Sequence, residues 1–189
     1  SKEDAATSLY QVGPGLFTAN AVPPYESWQE FSPVVANGVD AMIAARSAEE
    51  RDIPFSAVNL RYIDAFGENL TGGRDIGRFL DEVFKIKISL PVALSEHLLA
   101  GQSAKPFVQF QIPMERGMLM SVGVGEGMAN GQPAIMLDTS VATTLPIPPN
   151  AESIMESFEI AHKVIDKSFR MLIEPIKGLM PTKAEKKDA

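Results

Sequence analysis

The chain has no cysteine, one tryptophan and two histidines in 189 residues. Without cysteine there are no disulfides, no thiolate metal sites and no cysteine nucleophile. The same absence leans towards a reducing compartment, so a cytoplasmic location is expected. Two histidines rule out a three-histidine metal centre, and His97 and His162 stand in no ligand motif. No metal and no cofactor are expected. Basic charge is also short: 17 Lys and Arg against 24 Asp and Glu give a net charge of −7. A nucleic-acid surface needs a basic face, so no nucleic-acid partner is expected. The one basic enrichment, Lys183, Lys186 and Lys187, reads as a solvated tail, which makes the folded body more negative than the whole. No run approaches the ~18 apolar residues that span a bilayer, so no membrane partner is expected. The start, Ser1-Lys2-Glu3-Asp4, is polar, has no signal-peptide core and lacks an initiator Met. The chain therefore reads as a processed product or a portion of a longer protein.

What is present is ordinary globular composition, 45% apolar and 22% charged. The expectation is a single α+β domain over 8–175, with flexible tails at 1–7 and 181–189. Leu9–Val12 and Leu16–Ala19 flank Gly13-Pro14-Gly15 and read as a β-hairpin. Pro23-Pro24 closes that unit. Trp28, Phe31, Val35, Val39, Met42 and Ile43 recur at helical spacing, predicting a helix over about 25–46. Pro33 inside it predicts either a restart capped by Ser32 or a kink. Trp28 reads as core or interface.

Phe55 to Phe66 reads as a central strand. Val58, Leu60 and Tyr62 share one face; Asn59, Arg61 and Ile63 share the other. A short helix follows to about 84, and 85–102 is ambiguous between alternation and helix. Three strands read clearly over 106–142. Val108, Phe110, Ile112 and Met114 alternate with polar residues, and Met118, Met120, Val122 and Val124 continue after a tight turn. Asn130-Gly131 then gives a type I′ hairpin into Ile135, Leu137, Thr139 and Val141. A proline-rich linker leads to Asn150, a good N-cap, and to a helix ending near 173 before Pro175. The order predicts an antiparallel sheet of hairpin, central strand and meander, covered on one face by long helices. A long helix after a meander also suits a helix-grip arrangement with a cavity.

Three segments carry a resemblance: Tyr25-Glu26-Ser27-Trp28-Gln29-Glu30-Phe31, Asn59-Leu60-Arg61-Tyr62-Ile63-Asp64, and Ala161-His162-Lys163-Val164-Ile165-Asp166-Lys167-Ser168-Phe169. Together they resemble the C-terminal part of a sporadically distributed family of uncharacterised bacterial proteins, over roughly residues 8 to 175. The resemblance implies a bacterial origin and a shared fold. It implies no reaction and no catalytic residues. The longer members of that family have a further segment before the hairpin, which again implies a portion of a larger protein.

Few residues could carry chemistry. His162 and Asp166 lie four apart on the last helix, with Glu159 also near, so a carboxylate could orient the imidazole. The plainer reading is a histidine at the border of the apolar stripe, bonded to a helix neighbour. Ser95 and His97, two apart, do not face each other on a helix, and no nucleophile elbow is present. Gly123-Val124-Gly125-Glu126-Gly127 lacks the strand–turn–helix context of a nucleotide loop. It reads instead as a strand that admits a close neighbour, the last helix before a ligand. Arg61 pairs with a carboxylate or faces a pocket. Nine methionines suit gap filling or adaptable binding.

The function expected first is a non-catalytic domain that binds a protein partner or forms a homo-oligomer. The alternative is a small-molecule site, an apolar cavity lined by Tyr62, Arg61, Met118, Met120 and Phe158. The third is an enzyme using His162 with Asp166 or Glu159.

Overall fold

A computed structural model describes residues 8–22 and 25–180. The N-terminal stretch, Pro23-Pro24 and the basic tail read above lie outside the described residues. In chain order the elements are β1 (Ser8–Gly13), β2 (Leu16–Ala21), α1 (Trp28–Ala44), β3 (Asn59–Phe66), α2 (Glu68–Thr71), α3 (Ile76–Glu82), α4 (Val92–Ser95), β4 (Val108–Met114), β5 (Met118–Ala129), β6 (Gln132–Thr143) and α5 (Ala151–Leu172). Both sheets are antiparallel and the architecture is α+β. The described residues pack as two compact units. One runs up to Val58 and includes Thr143–His162; the other is Asn59–Ala142 with the described residues from Lys163 on.

In the first unit, β1 and β2 pair Gly13 with Leu16 around Pro14-Gly15. Pro14 pre-sets its own φ, and Gly15 sits at φ +70°, which a side chain would disfavour. The hairpin forms a two-stranded sheet of its own, apart from the larger one. What it packs on is α1. A Cβ at Gly38 would stand 2.6 Å from both Tyr10 Cε1 and Phe17 Cζ, so the two rings rest on bare helix backbone. The Tyr10 hydroxyl donates to the Val34 carbonyl at 2.5 Å. The helix begins one cap earlier than Ser32: the Ser27 hydroxyl accepts from the Glu30 N–H. It runs through Pro33 without a restart, and the proline forgoes only the bond that its own nitrogen would give to the Gln29 carbonyl. Phe55 bridges to Ile147, and Arg46 lies 4.5 Å over the Phe55 ring while donating to the Ile53 carbonyl. That clamp orders the connection after α1.

In the second unit the strand order is β3-β6-β5-β4. The strand read as central, β3, is therefore an edge strand, hydrogen-bonded among the described strands to β6 alone. The meander forms as expected, with Asn130 and Gly131 both at positive φ in the β5–β6 turn. The registers put Leu60, Tyr62, Asp64 and Phe66 on the same face as Val141, Thr139, Leu137 and Ile135. On that face Leu137, Val141 and Phe66 are fully buried. Phe66, Phe79 of α3 and Phe84 form an aromatic cluster with centroids 5.1 to 5.7 Å apart. Asp75 caps α3 by accepting from the Arg78 N–H. The ambiguous 85–102 stretch holds only the single turn α4, with Val92, Leu94 and Leu99 exposed.

Helix α5 starts where Asn150 accepts from the Ser153 N–H at 2.8 Å. After Leu172 a 3-10 segment, Glu174–Leu179, carries Pro175 near its start. A sheet wrapped around α5 is not established, because the helix contributes its first part to one unit and the rest to the other.

Candidate functional site

The acid/base candidates on α5 are drawn into other contacts. Trp28, only 4% exposed, donates its indole N–H to Glu159 Oε1 at 2.7 Å. The His162 ring stacks on the same indole at 5.3 Å and 21°. Phe158 and Phe31 complete the surround at 6.3 and 6.4 Å. Asp166 accepts from the Arg170 guanidinium at 2.8 Å. The arrangement is an aromatic stack with one charged hydrogen bond, which anchors α5 to α1 within the first unit. A carboxylate occupied by an indole N–H and an imidazole stacked on a ring are well placed for packing. Trp28 is thus the pivot of a core. Its sequence signal was its solitary place in the apolar stripe of α1.

The residues read as lining a ligand cavity are divided between the two units, Phe158 in the first and the others in the second. Met118 and Met120 are buried on the apolar face of β5. Tyr62 is half-buried on β3, with β6 between the two strands. Arg61 points to the opposite face and binds Asp138 by two contacts, Nε to Oδ1 at 2.8 Å and Nη2 to Oδ2 at 2.5 Å. This pair is solvent-exposed and is worth about 0.2–1 kcal/mol. Phe158 packs against Trp28 in the first unit. Two recesses in the described surface are lined by other residues. One of about 90 Å³ is lined by residues that include Ser8, Tyr25, Glu30 and Phe31. One of about 570 Å³ lies beside Arg78, Glu82 and Lys87.

The glycine run in β5 does admit close neighbours, and they are the Phe107 and Met136 side chains, where the last helix was expected. A Cβ at Gly125 would lie 2.7 Å from Phe107 Cδ2, and one at Gly127 2.5 Å from Met136 Cγ. The run is a packing device on the sheet's second face.

A different surface was missed. The alternation of Val108, Phe110, Ile112 and Met114 with polar residues sets Phe110 and Ile112 on one face of β4. Register does place them on the apolar face, opposite buried Val122 and Met120. Yet Phe110 is 42% and Ile112 47% exposed, and Phe107 just before the strand is 72% exposed. The reason is position: among the described strands β4 is the end of the sheet, with β5 on one side only. None of its seven residues, Val108 to Met114, is charged. A visible signal was that lack of charge, since solvent-facing edges ordinarily carry it.

Among the described residues no group of three or more His, Asp or Glu could hold a metal ion. Nor is any helix among them long and apolar enough to cross a membrane. No protein-family model, no curated protein and no solved structure matches the chain.

Proposed function

We propose that the chain is a non-catalytic interaction domain, acting by binding a protein partner or a second copy of itself. The observation that carries this reading is the β4 edge: an uncharged strand with Phe110 and Ile112 exposed on one face, and with exposed Phe107 just before it on the other. Isolated apolar side chains on a surface are ordinary, but an uncharged strand edge with open backbone groups is a template for pairing. The engagement of His162, Glu159 and Asp166 in packing and pairing contacts supports the same reading over catalysis. Light scattering after gel filtration, joined to chemical crosslinking in lysate of the source cells, tests it. The expected result is a defined assembly or a recovered partner that is lost when Phe110→Ser and Ile112→Ser are combined. A chain that is strictly monomeric and recovers no partner overturns the reading.

A further inference from the structure

We propose that the occupant of the β4 edge is a second copy of this chain, paired antiparallel about Phe110 so that two four-stranded sheets become one. This rests on the interaction reading and names its partner.

The two ends of the sheet differ. β3, at one end, carries Arg61 and Asp64 among its eight residues. Such charges discourage another strand from pairing. β4, at the other end, carries none, and its only protective residue is Pro113, near the end of the strand. One edge of the sheet is guarded and the other is open.

The open edge is complementary to itself. Val108-Gln109-Phe110-Gln111-Ile112 reads nearly the same in both directions. An antiparallel copy centred on Phe110 sets Phe110 against Phe110, Gln109 against Gln111 and Val108 against Ile112. Every residue then meets its own chemistry on its own face. Phenylalanine and the two branched side chains meet on the apolar face, and the glutamine amides meet on the polar one. This is the isologous contact that a two-fold dimer requires. An unrelated strand would match the apolar positions but would have no reason to repeat the glutamines in phase.

The backbone agrees with this register. Pro113 has no N–H to give to β5, so its nitrogen belongs on the free edge, as prolines in edge strands do. Gln109 and Gln111 share its parity and so present their N–H and C=O groups outward. In the proposed register Gln109 of one copy and Gln111 of the other exchange both bonds, and Pro113 ends the pairing for lack of a donor. Phe110 against Phe110 is then a non-hydrogen-bonded pair, the kind in which side chains approach most closely. No like charges meet within the strand.

The absence of cysteine makes the test direct. Phe110→Cys introduces a single thiol at the proposed two-fold axis, where opposed Cβ atoms come near disulfide distance. Val12→Cys, on a residue that is 82% exposed in the hairpin, is the control for random collision. The wild-type chain should sediment as a dimer at about 50 µM. Phe110→Cys should oxidise to a covalent dimer at least about tenfold faster than Val12→Cys, because pairing raises the effective thiol concentration. Gln111→Pro, which removes an outward N–H, should be monomeric with an unchanged far-ultraviolet spectrum; if it does not fold, the crosslinking rate decides alone. A wild-type monomer at about 200 µM overturns the proposal, and whether the interaction reading survives then depends on partner recovery. A dimer that Gln111→Pro retains, or one in which both thiols crosslink at the same rate, also overturns it while leaving self-association standing. A heterologous strand recovered on β4 from a monomeric chain overturns the second copy as occupant.

Discussion

Asp64 is the one carboxylate of β3 that the register puts on the sheet's apolar face, opposite fully buried Leu137 and between Tyr62 and Phe66 along the strand. Burial pushes its carboxyl up to about 6. The folded state therefore holds its proton where the unfolded chain, with an ordinary carboxyl near 4, has released it. Between those two values the folded state binds more protons, so stability falls as pH rises. The penalty is absent below about pH 4 and complete above about pH 6, and amounts to roughly 2 kcal/mol after allowance for the carboxyl's partial contact with solvent. Asp64→Asn should raise urea-unfolding stability by about 1–2 kcal/mol at pH 7.5 and leave it little changed at pH 4. An equal effect at both pH values would mean that ionisation is not the cause. This residue was legible: period two from Leu60 and Tyr62 carries Asp64 onto the same face. Its burial was not, because burial depends on what the rest of the chain lays over that face.

At the scale of the element, local signals served well. The Asn150 cap, the Asn130-Gly131 turn and the alternation in β5 and β6 are decided within a few residues, and each forms as expected. Order in the sheet is decided between distant segments. That is why β3 could be recognised as a strand without being recognised as an edge, and why Phe110 and Ile112 could be given the correct face and the wrong exposure. The hairpin teaches the same point. Its strands were legible, but its seat on α1 depends on Gly38 having no side chain under Tyr10 and Phe17. Gly38→Ala should help the isolated helix by about 1 kcal/mol and yet force both rings off it. Hydrogen exchange should show the amides of β1 and β2 losing protection while those of α1 keep theirs. Retained protection in the hairpin would mean that the rings tolerate the methyl group and that their seat lies elsewhere.

For the whole molecule the decisive quantity is charge. Each copy carries a net −7, so two copies repel over the distance at which an assembly forms, while β4 itself brings no charged group to the contact. An interface built from ion pairs weakens as salt is added. One built from an uncharged strand between two acidic bodies strengthens, because salt screens only the repulsion. Sedimentation equilibrium at about 50 mM and about 500 mM sodium chloride should therefore show tighter self-association at the higher salt. The change should appear mainly in the association rate, where long-range repulsion acts. The charges near this end of the sheet do not alter the sign: Lys105 is matched by Glu126 at 2.7 Å within one copy, and exposed Arg116 in the β4–β5 turn follows Glu115, so together they add no net positive charge. Weaker association at high salt would place the contact on a charged surface away from β4, and the acidic balance of the chain would then oppose the neutral edge in place of complementing it.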